Sequence, residues 1–292
     1  MKHPVNLFFA LFLLLCSCSQ HMDDEWKPDK LSNGPETQSV GFALSRASLE
    51  TFAEHGITEI GIYVYLKDSL VFGKNLPLNN GNLKVDVPLG EKLQTFAVAN
   101  AGHLEDTDSL SKVVVYQDEQ AQKEVFISPV AEFMSDRTVS QVNLELKRAV
   151  GQATFQPLET GAEIAAITQF DTMNLVFSNV GIGYKVNSGA CVQGNVTVST
   201  GLAAGFQASV YSFSTEGKDL TGVDVIYKKV GVEVNRTKRA LDTNITFQVS
   251  KRTIVKMPIL DESYLKYPFD QVRSMKMRTD ISRKLVIEEC DF

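Results

Sequence analysis

The sequence predicts an all-β protein built as two successive sandwiches, and three observations predict it. Apolar residues recur mostly at every second position, the period of a strand with one buried face. The alternating runs are short and are punctuated by turn-forming residues such as Pro88-Leu89-Gly90. The chain has 292 residues, more than one ordinary domain needs, and a fresh alternating run begins as a long one ends near Arg148–Gly151. The expected layout is a leader at 1–17, a tether at 18–37, a first sandwich at 38–148 and a second at 149–292.

The leader comes first. Met1-Lys2-His3 supplies a positive charge, and Val5 to Leu15 is nearly all apolar, too short to span a bilayer, which takes about 20 residues. Leu15-Cys16-Ser17-Cys18 closes the run and reads as a lipobox. Cleavage there leaves Cys18 as the first residue, with acyl chains on its thiol and amine. Several acyl chains, at about 0.8 kcal/mol per buried methylene, make a lasting anchor. Cys16 is the poorer acceptor, because Leu14-Leu15 before it lack a small residue. Asp23-Asp24-Glu25 follows; it is either a solvated spacer or the acidic signal that places lipoproteins on the outer face of some diderm outer membranes. Gln20 to Gln38, with Pro28, Gly34 and Pro35, cannot bury a core and reads as a tether. The expected location is the outer membrane, held by lipid at Cys18 and facing the exterior.

In the first sandwich, Val40, Phe42 and Leu44 alternate in Gln38–Ser45. Ser45 can cap a short helix carrying Leu49 and Phe52 and stopped by Gly56. Ile60, Ile62, Val64 and Leu66 share one face of Thr58–Lys67, with Tyr63 and Tyr65 opposite. Further strands are expected at Leu83–Val87, Leu93–Ala99, Lys112–Tyr116 and Gln141–Arg148. In the second sandwich they fall at Gly151–Gln156, Met173–Ser178, Ile182–Asn187, Val192–Ser199, Phe206–Phe213, Val223–Lys228, Asn244–Ser250 and Lys284–Glu288. A second helix is expected at Glu163–Phe170.

Composition narrows function. Lys+Arg 29 against Asp+Glu 35 gives a net charge of -6, with no basic footprint for nucleic acid. After Cys18 only Cys191 and Cys290 remain. An extracytoplasmic compartment permits a Cys191–Cys290 disulfide, and two buried thiols fit the sequence equally well. Beyond the leader, His21, His55 and His103 have no companions at metal-ligand spacing, so neither a metal nor another cofactor is expected. His55 precedes Gly56 at a helix end, where an imidazole meets the helix dipole favourably. Glu105, Asp106 and Asp108 cluster in one loop without the spaced pattern of a calcium loop. No nucleophile-base motif or phosphate loop is present, so no enzymatic activity is expected. Trp26 lies in the tether, and Tyr211, Phe213 and Tyr227 are explained by strand packing as well as by sugar stacking. Asp68-Ser69-Leu70, Asp108-Ser109-Leu110 and Asp171-Thr172-Met173 are short triplets of the O-glycan acceptor type.

Three segments carry a family likeness. Thr58–Lys67 (TEIGIYVYLK), Leu83–Gly102 (LKVDVPLGEKLQTFAVANAG) and Asn143–Gln156 (NLELKRAVGQATFQ) are similar to an early strand, a strand–Pro-x-Gly–strand unit ending in Ala-Asn, and the interdomain junction of the fimbrillin superfamily. With the lipobox and acidic tether, the chain resembles the anchors and subunits of type V pili. The resemblance implies two tandem transthyretin-like antiparallel β-sandwiches and a non-catalytic role. It implies assembly with other pilus subunits by strand exchange, and a ligand on a host or bacterial surface. Cleavage after a basic residue, here Arg46, removes the first strand and opens a groove. A strand of the next subunit, here Lys284–Phe292, fills it. Arg46 is equally an ordinary solvated arginine at a helix start, and Lys284–Phe292 an ordinary last strand. The tip of such a fibre needs no open groove. The alternative is a cell-surface glycan-binding lipoprotein of a nutrient-uptake system, which the scarcity of tryptophan disfavours.

Overall fold

The alternation of the first half produces two facing sheets. In the computed structural model, residues 36–45, 49–78, 83–159, 164, 169–215, 217, 220–258 and 286–291 are described. One sheet has the order β10 (Gln141–Glu145), β1 (Thr37–Ser45), β4 (Leu83–Pro88). The other runs β11 (Lys147–Arg148), β8 (Phe126–Ile127), β5 (Lys92–Ala99), β2 (Glu59–Leu66), β3 (Ser69–Pro77), with β9 (Ala131–Met134) also paired to β5. Val40, Phe42, Val85 and Leu144 of the first sheet meet Ile60, Ile62, Val64 and Leu93 of the second in one apolar core. The helix α1 (Leu49–Glu54) adds Phe52 to this core and stops at Gly56, whose φ of 65° only glycine adopts without strain.

The second half is a sandwich folded about one long strand. Its elements are β12 (Val150–Pro157), β13 (Thr172–Lys185), β14 (Cys191–Gly201), β15 (Ala208–Phe213), β16 (Leu220–Lys229), β17 (Val232–Ile245), β18 (Lys251–Met257) and β19 (Val286–Asp291). They run in the order β17-β16-β13-β15-β12-β18-β19, with β14 on the other edge of β13. Residues Thr172–Phe177 of β13 pair with β16; past an irregularity between Phe177 and Val180, Gly181 pairs with β15. One strand thereby serves both layers, and the rings of Phe155 and Phe177 stand 4.8 Å apart in the core between them.

The halves share an apolar seam. The hairpin β6 (His103–Glu105) and β7 (Val114–Tyr116) pairs through β7 with Gly183–Lys185 of β13. Tyr65, Phe96 and Val98 pack with Val150, Val186 and Phe213 in a cluster of their own. β2 is therefore buried on both faces: its isoleucines face the first core and Tyr65 faces the seam.

The all-β sandwich architecture is as the sequence predicts; several details differ. Two ladders, β1 with β10 and β12 with β18, are parallel rather than antiparallel. The expected strand Gln141–Arg148 divides at buried Leu146, its first part entering one sheet and its second the other. The expected Met173–Ser178 and Ile182–Asn187 are one strand, β13. Asn244–Ser250 is not a strand of its own: β17 ends at Ile245 and β18 starts at Lys251. The expected helix Glu163–Phe170 falls mostly outside the described residues.

Candidate functional site

β1 is the middle strand of a three-stranded sheet, and everything it touches is borrowed from other parts of the chain. Thr37–Phe42 pairs antiparallel with β4, and Gly41–Ser45 pairs parallel with β10, so the two ladders overlap only at Gly41 and Phe42. Inward side chains alternate. Gln38 is half-buried, Val40 and Phe42 are 0% and 2% exposed, and Leu44 is partly buried against the same core. The Phe42 ring meets the Phe133 ring on β9 of the facing sheet. At the strand's start, the Leu89 amide donates to the Glu36 carbonyl at 2.7 Å, and the Arg137 guanidinium contacts the Glu36 carboxylate at 2.5 Å. At its end, Ser45 is the last described residue before 49; Arg46 lies outside the described residues, one position past the strand.

Removing β1 would leave a slot one strand wide between β4 and β10, which would then stand about 9–10 Å apart. Both would show unpaired backbone groups along that gap. Exposing the contacts of Val40 and Phe42 costs about 1.5–3 kcal/mol per side chain. The slot thus demands an extended strand with apolar residues at two alternate positions. The neighbours of β1 run in opposite directions, so a strand entering either way would find one parallel and one antiparallel partner.

The likeness motifs acquire physical reasons. Asn100, at the Ala-Asn end of the second motif, has φ 58° and donates its side-chain amide to the His55 carbonyl at 2.9 Å. The Pro88–Gly90 turn has Gly90 at φ 79°, held by the Ser135 carbonyl 2.6 Å from the Gly90 amide. In the junction motif, Arg148 Nη2 donates to Glu124 Oε2 at 3.0 Å and lies over the Phe126 ring, 5.7 Å from its centre. The same Glu124 oxygen is 2.8 Å from His55 Nδ1. Burial, with the Glu124 carboxylate next, pushes the Tyr211 hydroxyl above the usual tyrosine range. This clasp joins the residue after α1 to the boundary of the two halves. Sequence reasoning located His55 and Arg148 and missed Glu124, which sits in a polar run without periodicity. At the end of the junction, Gly151 lies so close to the Gln248 carbonyl that a Cβ would stand 2.1 Å from it.

Other candidates resolve as follows. Cys18 and Trp26 lie outside the described residues. Cys191 and Cys290 are both thiols in this structure. Cys290 pairs with Arg252 on β18, and β12 and β15 lie between that strand and β13, where Cys191 pairs with Tyr184. Strands spaced about 4.8 Å apart put the two beyond the reach of about 7 Å that a disulfide needs. Among the described residues no group of three His, Cys, Asp or Glu side chains could hold a metal ion. His103 instead stacks on Tyr116 at 4.8 Å. Asp68 accepts from the Ser109 hydroxyl and the Ser111 amide, both at 2.6 Å, so the two Asp-Ser-Leu triplets are tied together. Phe213 and Tyr227 are core residues, and Tyr211 packs partly buried against the seam. A polar hollow of about 250 Å³ over β12, lined by Gln152, Thr154, Gln156, Ser209 and Arg252, has no aromatic lining among the described residues.

No family model and no curated protein matches the chain. Solved structures do. The tip fimbrial protein Mfa3 of Porphyromonas gingivalis with C-terminal truncation is similar at 10% identity, over 87% of this chain and 100% of that one, with a TM-score of 0.43. A fimbrial assembly protein of Parabacteroides distasonis is similar at 12%, over 77% and 92%, with a TM-score of 0.41. A candidate adhesin of Bacteroides ovatus is similar at 13%, over 76% and 88%, with a TM-score of 0.45. Each superposition is weak, and the functional reading stands on the slot geometry. These structural neighbours are adhesion and fimbrial proteins of Bacteroidetes, the kind of protein that the sequence motifs resemble.

Proposed function

We propose that the protein is a non-catalytic structural subunit of a surface fibre, delivered to the outer membrane by lipid at Cys18 and assembled by strand exchange. The single observation that supports this most is the position of β1: a central sheet strand, buried through Val40 and Phe42, that comes first among the described elements. A strand that completes a sheet from the start of a domain is removable without cutting any other element. Arg46 follows it directly. While β1 is in place the slot is filled and the subunit stays single. Once it is cut and leaves, exposed ladder groups and the two vacated apolar positions favour capture of a foreign strand. If the cut is not made, the lipid stays attached and the same fold serves as a membrane anchor.

The experiment replaces Arg46-Ala47-Ser48 with a site-specific protease sequence, which spares the basic residues elsewhere. The purified chain is cut and followed by light scattering and electron microscopy. Rod-like multimers that form only after cutting support the reading. A cut chain that stays monomeric at high concentration contradicts it.

A further inference from the structure

The polar hollow of the second sandwich follows from the register of three strands. β12 lies between β15 and β18, and residues paired across strands point to the same face. Thr154 therefore stands beside Ser209 of β15 and Ile254 of β18, and Gln152 beside Arg252. Thr154 and Ser209 are short. The side chains at either end, Gln152 with Arg252 and Gln156 with Gln207, are long. A face with a short middle row and long ends is a trough, here of about 250 Å³. Gln152 and Gln156 are four residues apart on β12, so the trough is about 13 Å long.

Ordinary solvation does not account for these residues. Outward sheet positions are polar when they are wet, yet Gln152 is 7% exposed and Thr154 5%. Buried polar atoms are normally spent on partners, and here they are spent only in part. Arg252 Nε donates to Gln152 Oε1 at 2.5 Å, and the Thr154 and Ser209 hydroxyls share a hydrogen bond of 2.9 Å. These two bonds fix four side chains. The Gln152 amide nitrogen and the side-chain amides of Gln156 and Gln207 have no partner among the described residues.

The unspent capacity defines a ligand. A glutamine amide both donates and accepts, as a sugar hydroxyl does. Arg252 is the one ionised side chain among the described lining residues, and none of them is a carboxylate. A ligand carboxylate there would make a charge-assisted bond, roughly twice as strong as a neutral one. The protein's net charge of -6 opposes an anion only weakly, because salt screens charges beyond about 8 Å. Ile254 offers one aliphatic contact, and no described lining residue is aromatic, so recognition runs through hydrogen bonds rather than ring stacking. An extended peptide would look for open ladder groups, and β12 is paired on both sides.

We propose that this hollow binds an acidic sugar, its ring over Thr154 and Ser209, its hydroxyls held by Gln156 and Gln207, and its carboxylate at Arg252. The site belongs to the second sandwich and uses none of β1, β4 or β10. It is therefore independent of strand exchange and is available in an anchored chain and in a fibre subunit alike.

The test is saturation-transfer difference NMR on the purified full chain. Glucuronate, galacturonate and N-acetylneuraminate are the probes, with glucose and galactose as the neutral counterparts of the first two. Gln207→Trp fills the hollow from an exposed position, and Arg252→Gln removes the charge; melting of each variant reports folding. At least one acidic sugar should bind. A uronate that binds should do so at least about tenfold more tightly than its neutral counterpart, and each folded variant should weaken binding at least about tenfold. If Arg252→Gln does not fold, Gln207→Trp alone decides. Failure of all three acidic sugars to bind overturns the proposal. So does equal binding of a uronate and its neutral counterpart, or binding that survives Gln207→Trp. Each of these leaves strand exchange untouched.

Discussion

The Phe42 ring stands edge-on to the Phe133 ring, their centres 6.3 Å apart and their planes at 84°. This pair links the plug strand to the opposite sheet, and aromatic rings favour that edge-to-face arrangement. Replacing Phe42 by alanine empties a fully enclosed position. The uncut protein should lose about 3–5 kcal/mol of stability, measured by urea denaturation. A loss below about 1 kcal/mol would show that β1 does not carry the core of the first sandwich.

Gly151 is the tightest glycine of the junction. A methyl group there meets the Gln248 carbonyl at 2.1 Å, and both partners are backbone. Gly151→Ala should therefore leave little folded protein, read as loss of the cooperative thermal transition. Normal folding of this variant would contradict the close approach.

Arg148 and Glu124 are each about one-seventh exposed, at 14% and 16%, so their contact is shielded from water. Arg148→Met keeps the bulk and removes the charge-assisted bond. It should cost about 1.5–3 kcal/mol, and pairing it with Glu124→Gln should recover part of that loss. A double variant as damaged as the sum of the singles would mean that the two do not act together.

Acid should loosen the loop around Ser109. The Ser109 hydroxyl foremost, then the Ser111 amide, hold the Asp68 carboxyl below the usual carboxylate range. A folded value below the unfolded one, about 3.9, makes the unfolded chain the better proton binder. The stabilisation is then complete above about pH 4–5 and fades as pH falls through the folded value. Asp136 and Asp171 are shifted the same way by their own hydrogen bonds and add to the trend. Asp68→Asn should flatten the fall of the melting temperature between about pH 5 and 2.5. An unchanged slope would mean that this carboxylate plays no part in it.

Much of the fold was legible because its signals are local. Val40, Phe42 and Leu44 alternate, and β1 is where they alternate. Gly56 marks a helix end, and α1 stops there. What could not be read depends on distant partners. β3 lies at a sheet edge with both faces partly wet, so its period is blurred. β6, β8 and β9 are two to four residues long, too short for any period. β17 mixes exposed valines with charges at Val232-Glu233-Val234, so it reads as polar chain although it is a long edge strand. The parallel pairing of β1 with β10 joins residues some hundred positions apart, which no local pattern encodes. The same holds at the clasp: His55 and Arg148 stood out by position, while Glu124 matters only because the chain brings it between them.

The most direct measurement is the mass of the protein's N-terminal peptide in fibres recovered from the cell surface. Cleavage after Arg46 with loss of β1 predicts a chain that begins at Ala47 and carries no lipid. Fibres in which every copy begins at an acylated Cys18, with β1 still attached, would contradict a removable plug.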